Sequence, residues 1–279
     1  MIAERTTASG LRFLDISTAD CTASLCIQGA HLTSWKPAGQ EHDCLFLSPD
    51  TQLEPGKAIR GGIPICWPWF GKRPGAPSHG IARISEWTLD NVSETEEGVH
   101  ISLRLLPAEE GMPVAFLRIG LGKTLTMSLK TTARHHAHDL TEAFHNYFLL
   151  GDVRQSRITG LGDAPYEEFA GQAAHHAKIP LPLTLHSAID RVYSVDESLQ
   201  ELILEDHALC RQIRITRQGA SSVVIWNPWE EGTRSINDLP SGSWQHFLCV
   251  ETANALENII RLEPGHTHII TQTISVESL

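Results

Sequence analysis

The chain has 279 residues (30.8 kDa), 41% hydrophobic and 20% charged, an ordinary balance for a soluble globular protein and long enough to bury a sizeable core. Its formal net charge of −11 excludes a general affinity for nucleic acid or anionic lipid. No apolar run approaches the ~18 residues of a membrane span, and the first residues, MIAERTTASG, lack the apolar stretch of a signal peptide.

Alternation of apolar and polar residues predicts half-buried strands from one end of the chain to the other. TASLCI (22–27) places Ala23, Leu25 and Ile27 on one face; VHISLRLL (99–106) and KTLTMSLKT (123–131) do the same with Val99, Ile101, Leu103 and with Leu125, Met127, Leu129. ELILED, CRQIRITR, SVVIWN, QHFLCVE and THIITQTISVE continue the pattern. Gly, Pro, Asn and Asp separate these runs at short intervals, as in all-β sandwiches and barrels. Helical signals are few. Asn227-Pro228-Trp229-Glu230 reads as an N-cap followed by a first turn, Ser48-Pro49-Asp50 as a second start, and residues 162–178 as a polar loop with room for one turn. Nothing marks a linker, so one β domain over 1–279 is expected.

One stretch breaks the pattern. Lys57 to Arg83, KAIRGGIPICWPWFGKRPGAPSHGIAR, holds five cations (Lys57, Arg60, Lys72, Arg73, Arg83), two Trp, His79 and no acid. Its Gly and Pro residues make a rigid, irregular backbone. Such a loop suits a small anionic ligand, or equally a buried connection whose cations face water. Trp69 or Trp67 here, and Trp226 or Trp229 later, are the candidate stacking partners for a sugar ring.

Outside that loop, FHNYFLLGDV (144–153) puts His145, Tyr147 and Leu149 on one face of a strand. His145 there suits a proton donor near neutral pH, though the residues taken alone favour a core or edge histidine bonded to backbone. QHFLCVETAN (245–254) ends with Glu251 on the face of Phe247 and Cys249. A carboxylate at that position needs a partner or a catalytic task if it is buried. Asp190 enters a short strand and suits either sugar hydroxyls or an Asx-turn. His135, His136 and His138 lack converging ligands and read as a solvated turn rather than a metal site. GLGKT (120–124) fails as a phosphate loop because Leu117 stands where the first Gly belongs. The six cysteines match no zinc-ligand spacing and read as free thiols of a reducing cytoplasm.

IRGGIPICWPWFG, PSHGIAR, FHNYFLLGD, DRVY, VVIWNPWE and INDLPSGSWQHFLCVETAN occur together in this order. The set resembles the glucose-6-phosphate 1-epimerases (hexose-6-phosphate mutarotases) of the aldose 1-epimerase superfamily, over roughly residues 30 to 270. The resemblance implies a galactose-mutarotase-like β-supersandwich of large antiparallel sheets and a reaction without cofactor or metal. It implies His145 as general acid, Glu251 as general base, Arg60 and Arg83 as phosphate binders, and His79, Asp190 and Trp69 as further substrate contacts. The partner implied is a small hexose 6-phosphate, taken by a cytoplasmic monomer. A non-catalytic sugar-phosphate module and an epimerase of neutral aldoses are the competing readings; the first needs no acid–base pair and the second no arginines. On the enzymatic reading His145 and Glu251 lie on opposite sides of the sugar ring. Their proximity lowers the carboxyl pKa and raises the imidazole pKa.

Overall fold

The alternating segments form antiparallel ladders throughout. The structure, a computed structural model, describes all residues except 97, 108, 110, 172, 173, 177–181, 197 and 198. Among the described residues the largest sheet has nine strands. One run of neighbours in it is Arg211–Gln218, Thr267–Ser278, Leu125–Thr132, Val114–Leu121 and Gly98–Leu105, in that spatial order. A second sheet of eight strands runs Ala174–His176, Tyr166–Glu168, Ile189–Ser194, Ser222–Asn227, Phe247–Asn254, Glu142–Phe144 and Ile65–Cys66, with Tyr147–Leu149 also paired to Phe247–Asn254. A four-stranded sheet of Ile2–Thr6, Arg12–Ser17, Cys21–Cys26 and His31–Pro37 precedes both.

The apolar faces meet in one continuous core. Ile213, Ile215, Ile270 and Ile274 come from the large sheet, Ile225, Leu248, Val250, Phe144 and Phe148 from the second, and Leu25, Leu32 and Trp35 from the third. Each such side chain contributes about 1.5–3 kcal/mol on burial. Because alternation sends every second residue of the second sheet into this core, the residues between them face outward together. That outward face carries the cleft described below.

The basic stretch is stitched to the sheet at both ends. Ile65–Cys66 pairs with Glu142–Phe144, and the Trp67 indole donates to Thr131 Oγ1 at 2.9 Å. The chain then leaves and returns, with Ile81 N–H donating to the Trp67 carbonyl at 2.8 Å. Gly80 makes the return possible. Its φ is +77°, and a Cβ there would collide with the Trp67 carbonyl.

The helical expectations meet mixed outcomes. The short helix appears as Trp229–Thr233, and the Asn227 carboxamide accepts from Trp229 N–H at 2.8 Å. Ser48 starts no helix; it makes a turn with Thr51 and donates to the Asp238 carbonyl. Residues 162–178 hold no helical turn among those described; Tyr166–Glu168 and Ala174–His176 pair there as the outer edge of the second sheet, and 172, 173, 177 and 178 lie outside the described residues. No described helix is long and apolar enough to cross a membrane.

Replacing Gly80 with alanine forces both a left-handed conformation and a carbonyl contact. Gly80→Ala is expected to destabilise the fold by more than about 1 kcal/mol, read as a lower melting temperature by calorimetry. An unchanged melting temperature would show that the loop return is not constrained.

Candidate active site

Strand register assembles the centre of the site. Phe144 pairs with Thr252 and Tyr147 with Cys249. The count between them is equal on both strands, so His145 lies opposite Glu251. On the other side of Phe247–Asn254, Glu251 pairs with Val224 and Cys249 with Trp226; beyond these, Val224 pairs with Val192 and Trp226 with Asp190. Two rows therefore share the outward face: His145, Glu251, Val224, Val192, and Tyr147, Cys249, Trp226, Asp190. All of these but the fully buried Cys249 floor a cleft of about 940 Å³ whose walls include Arg60, Phe70, Lys72, His79, Arg83 and Phe169.

His145 and Asn146 interrupt the ladder between two short strands. The kink is held from below: His145 N–H donates to the Pro64 carbonyl at 3.0 Å and Tyr147 N–H to the Gly62 carbonyl at 2.9 Å. Asn146 is wholly buried and exchanges two amide hydrogen bonds with Gln272 of the large sheet, at 2.9 and 2.7 Å. A third runs from its Nδ2 to the Val250 carbonyl at 2.9 Å. The backbone that presents His145 is thus fixed to both sheets.

His145 Nε2 lies 3.3 Å from Glu251 Oε1. The angle is not that of a hydrogen bond, and neither Glu251 oxygen nor His145 Nδ1 has a hydrogen-bond partner in the protein. Glu251 is 1% exposed. A buried carboxyl without a partner is costly, and in a cleft it is free to meet a ligand hydroxyl. His145 and Glu251 sit side by side on the floor, which corrects the expectation of opposite sides. Adjacency fits the chemistry, because the C1 hydroxyl oxygen and the ring oxygen of a hexose are bonded to the same carbon.

The expected pKa directions are also reversed. Burial, and then the charge of Asp190, push the Glu251 carboxyl well up against the pull of Arg83. Burial, then His79, Arg83 and Arg60, push the His145 imidazole well down. Desolvation is the first cause for each group, so both favour their neutral forms. His79 is likewise held at about 4 by burial and by Arg83 and Arg60. Asp190 is raised to about 6 by burial and by Glu168.

Most residues singled out from sequence line this cleft: His145, Glu251, Arg60, Arg83, His79 and Asp190. Trp69 does not. Its indole donates to the Pro77 carbonyl at 2.9 Å, Arg73 covers its ring, and it lines a neighbouring depression with His138 and Arg261. Trp226 takes an aromatic place on the floor instead. His135 and His136 are exposed, away from the cleft.

Two functional candidates were missed. Tyr147 stacks on His145, with ring centroids 4.9 Å apart and planes within 11°; the alternation that put both on one face was the available signal. Asp238 binds Arg60 Nε at 2.9 Å, and nothing in its local sequence marks it. Arg60 also donates to the Tyr147 hydroxyl at 3.1 Å. Arg83 donates to the Ser78 carbonyl at 2.8 Å, and no acid pairs with it among the described residues.

A family model for aldose 1-epimerase matches residues 13–275. The chain belongs to the aldose 1-epimerase family. By that membership it is an isomerase. A provisionally named glucose-6-phosphate 1-epimerase of Escherichia coli K12 is 37% identical over 264 residues, covering 91% of this chain and 86% of its own. One from Cenchrus ciliaris is 33% identical over 277 residues, covering 93% and 83%. The crystal structure of a provisionally assigned mutarotase from Salmonella typhimurium superposes with a TM-score of 0.92 at 31% identity, covering 100% of this chain and 94% of that one. The β-supersandwich expected for the family is the fold observed.

Stability should follow the raised carboxyls. The folded pKa of Asp190, about 6, lies above its ordinary 3.8. Its contribution is therefore fully present below that value and lost as pH rises through 6. Asp190→Asn should gain stability over the parent between pH 4 and pH 7, by at most about 2–3 kcal/mol before solvent screening. Glu251→Gln should show the same sign for the same reason. Denaturant melts at both pH values measure it; a gain independent of pH would contradict the assignment.

Proposed function

We propose that this epimerase interconverts the α and β anomers of glucose 6-phosphate. The observation that carries the reading is the Glu251 carboxyl, buried 3.3 Å from His145 with no hydrogen-bond partner on either oxygen. Family membership supports a sugar substrate. The relatives' names support the phosphorylated one, and so do Arg60, Arg83 and Lys72 on the cleft wall of a chain with net charge −11. Guanidinium groups offer planar, two-pronged donors to phosphate oxygens.

In the catalytic state Glu251 is ionised and His145 protonated. Glu251 takes the proton of the C1 hydroxyl while His145 Nε2 gives its proton to the ring oxygen, and the C1–O5 bond breaks. The open aldehyde turns about C1–C2. The O5 hydroxyl then attacks the other face of C1, returning its proton to His145 as the carbonyl oxygen recovers one from Glu251. All proton transfers are internal, so each turnover regenerates the starting pair. The parallel Tyr147 ring supports the imidazolium through its π face. Asp190, across the floor, is set to receive sugar hydroxyls, and His79, neutral at pH 7, can accept or donate to the ring. The six free cysteines support a cytoplasmic location, and the shared core supports a single domain; we read the chain as a monomer.

Exchange between anomers of glucose 6-phosphate, followed by NMR magnetisation transfer, tests the scheme. Glu251→Gln and His145→Ala are each expected to lower kcat by about 10²–10⁴-fold. Arg83→Ala should raise KM by about 10–100-fold with a smaller effect on kcat, the loss expected for a charged hydrogen-bonded contact. Unchanged exchange in both acid–base variants would remove this mechanism.

A further inference from the structure

Arg60 does more than line the cleft. Asp238 holds its Nε at 2.9 Å, its Nη1 donates to the Tyr147 hydroxyl at 3.1 Å, and the Tyr147 ring lies flat against the His145 imidazole. A continuous chain of contacts therefore joins a candidate phosphate-binding cation to the acid–base pair. At the end of the chain, Nε2 and Oε1 stand 3.3 Å apart.

A single proton between these two atoms has two seats. On Glu251 Oε1 it leaves two neutral groups; on His145 Nε2 it makes an ion pair. The two arrangements carry the same net charge, so bulk pH does not choose between them, and the local field does. The proposed reaction starts from the second arrangement, whereas burial favours the first.

The groups that set this field come from every neighbouring element. Tyr147 stacks on His145, while His79 and Trp226 meet it edge-on at 5.8 and 6.1 Å. Glu251 faces it across the strand, and Asp190 bears on Glu251. Arg83 acts on both members of the pair, and Arg60 acts on His145. A cation nearer the imidazole than the carboxyl holds the proton on the carboxyl.

We propose that an oxyanion seated on Arg60 is the switch that moves the shared proton from Glu251 Oε1 to His145 Nε2. This rests on the proposed epimerase reaction and deepens it. A phosphate dianion offsets the guanidinium charge and leaves a negative field beside the imidazole. The substrate's own phosphoryl group thus arms the acid–base pair as well as anchoring the sugar. Phosphate recognition then appears in kcat and not merely in KM, because the interaction stabilises the reactive arrangement. A neutral hexose in the same cleft meets a disarmed pair.

The test supplies the sugar and the oxyanion as separate pieces. Anomer exchange of unphosphorylated glucose is measured with and without phosphite dianion. Phosphite is expected to raise kcat/KM for glucose by about tenfold or more, the factor that one pKa unit of rebalancing provides, and to have no such effect on Arg60→Gln. Nitrogen-15 NMR of the His145 ring, assigned by its loss in His145→Ala, reads the proton directly. At pH 7.5 the free protein should show a neutral imidazole and the phosphite complex an imidazolium. Arg60→Gln should show imidazolium without phosphite, whereas Arg60→Lys, which keeps the charge, should stay neutral until phosphite is added. Damage to the fold would not produce that pattern. Glucose exchange unchanged or slowed by phosphite, in a protein that turns over glucose 6-phosphate, overturns the switch and leaves the function standing. Faster glucose exchange with a ring that stays neutral overturns the proton transfer. Absence of turnover with glucose 6-phosphate itself overturns the function.

Discussion

Phe144 opposite Thr252 and Tyr147 opposite Cys249 leave no freedom for what lies between: His145 must face Glu251. Two ionisable groups that would each be better solvated in water are held together by a hydrogen-bonded ladder on either side. The remaining features of the site answer this constraint. The kink at Asn146 releases His145 from ladder pairing, Tyr147 covers its ring, and Trp226 closes the third side. Neither Glu251 oxygen has a hydrogen-bond partner in the protein, so its desolvation is left for a ligand to relieve.

Charge in the cleft is arranged asymmetrically. Arg60 is partly compensated by Asp238, and Arg83 has a carbonyl but no acid among the described residues. On the opposite side of the floor Asp190 and Glu168 repel one another. A ligand with an anionic end and a hydroxylated end fits this polarity in one orientation, with its anion toward the arginines and its hydroxyls toward Asp190. Electrostatic preorganisation of this kind needs little movement when the ligand arrives.

The strands were legible because period-2 alternation directly reports a half-buried sheet; ELILED matches the Glu201–Asp206 strand at both ends. Short polar strands such as Tyr166–Glu168 were not, because three residues carry too little pattern to outweigh the loop-like composition. The ordered motifs brought His145, Glu251, both arginines, His79 and Asp190 to one cleft. Trp69 went astray because a Pro/Gly-rich loop has no periodicity from which to read direction. The adjacency of His145 and Glu251 depends on pairing between segments a hundred residues apart, and the reversed pKa directions depend on burial depth. Neither is a local property of the chain.

The amide pair between Asn146 and Gln272 has a consequence for strand offset. On Thr267–Ser278, Ile270, Gln272 and Ile274 point to the same side, and Ile270 and Ile274 are fully buried there. Alternation decides which face of that strand turns inward, yet it tolerates a slide of two residues, since such a slide keeps the same face inward. Such a slide would set an isoleucine against the Asn146 carboxamide and leave it without partners in the core. The two amides therefore act as a locating pin. They choose one longitudinal position among those that hydrophobic patterning permits, and the residue pinned there, Asn146, is the chain neighbour of His145.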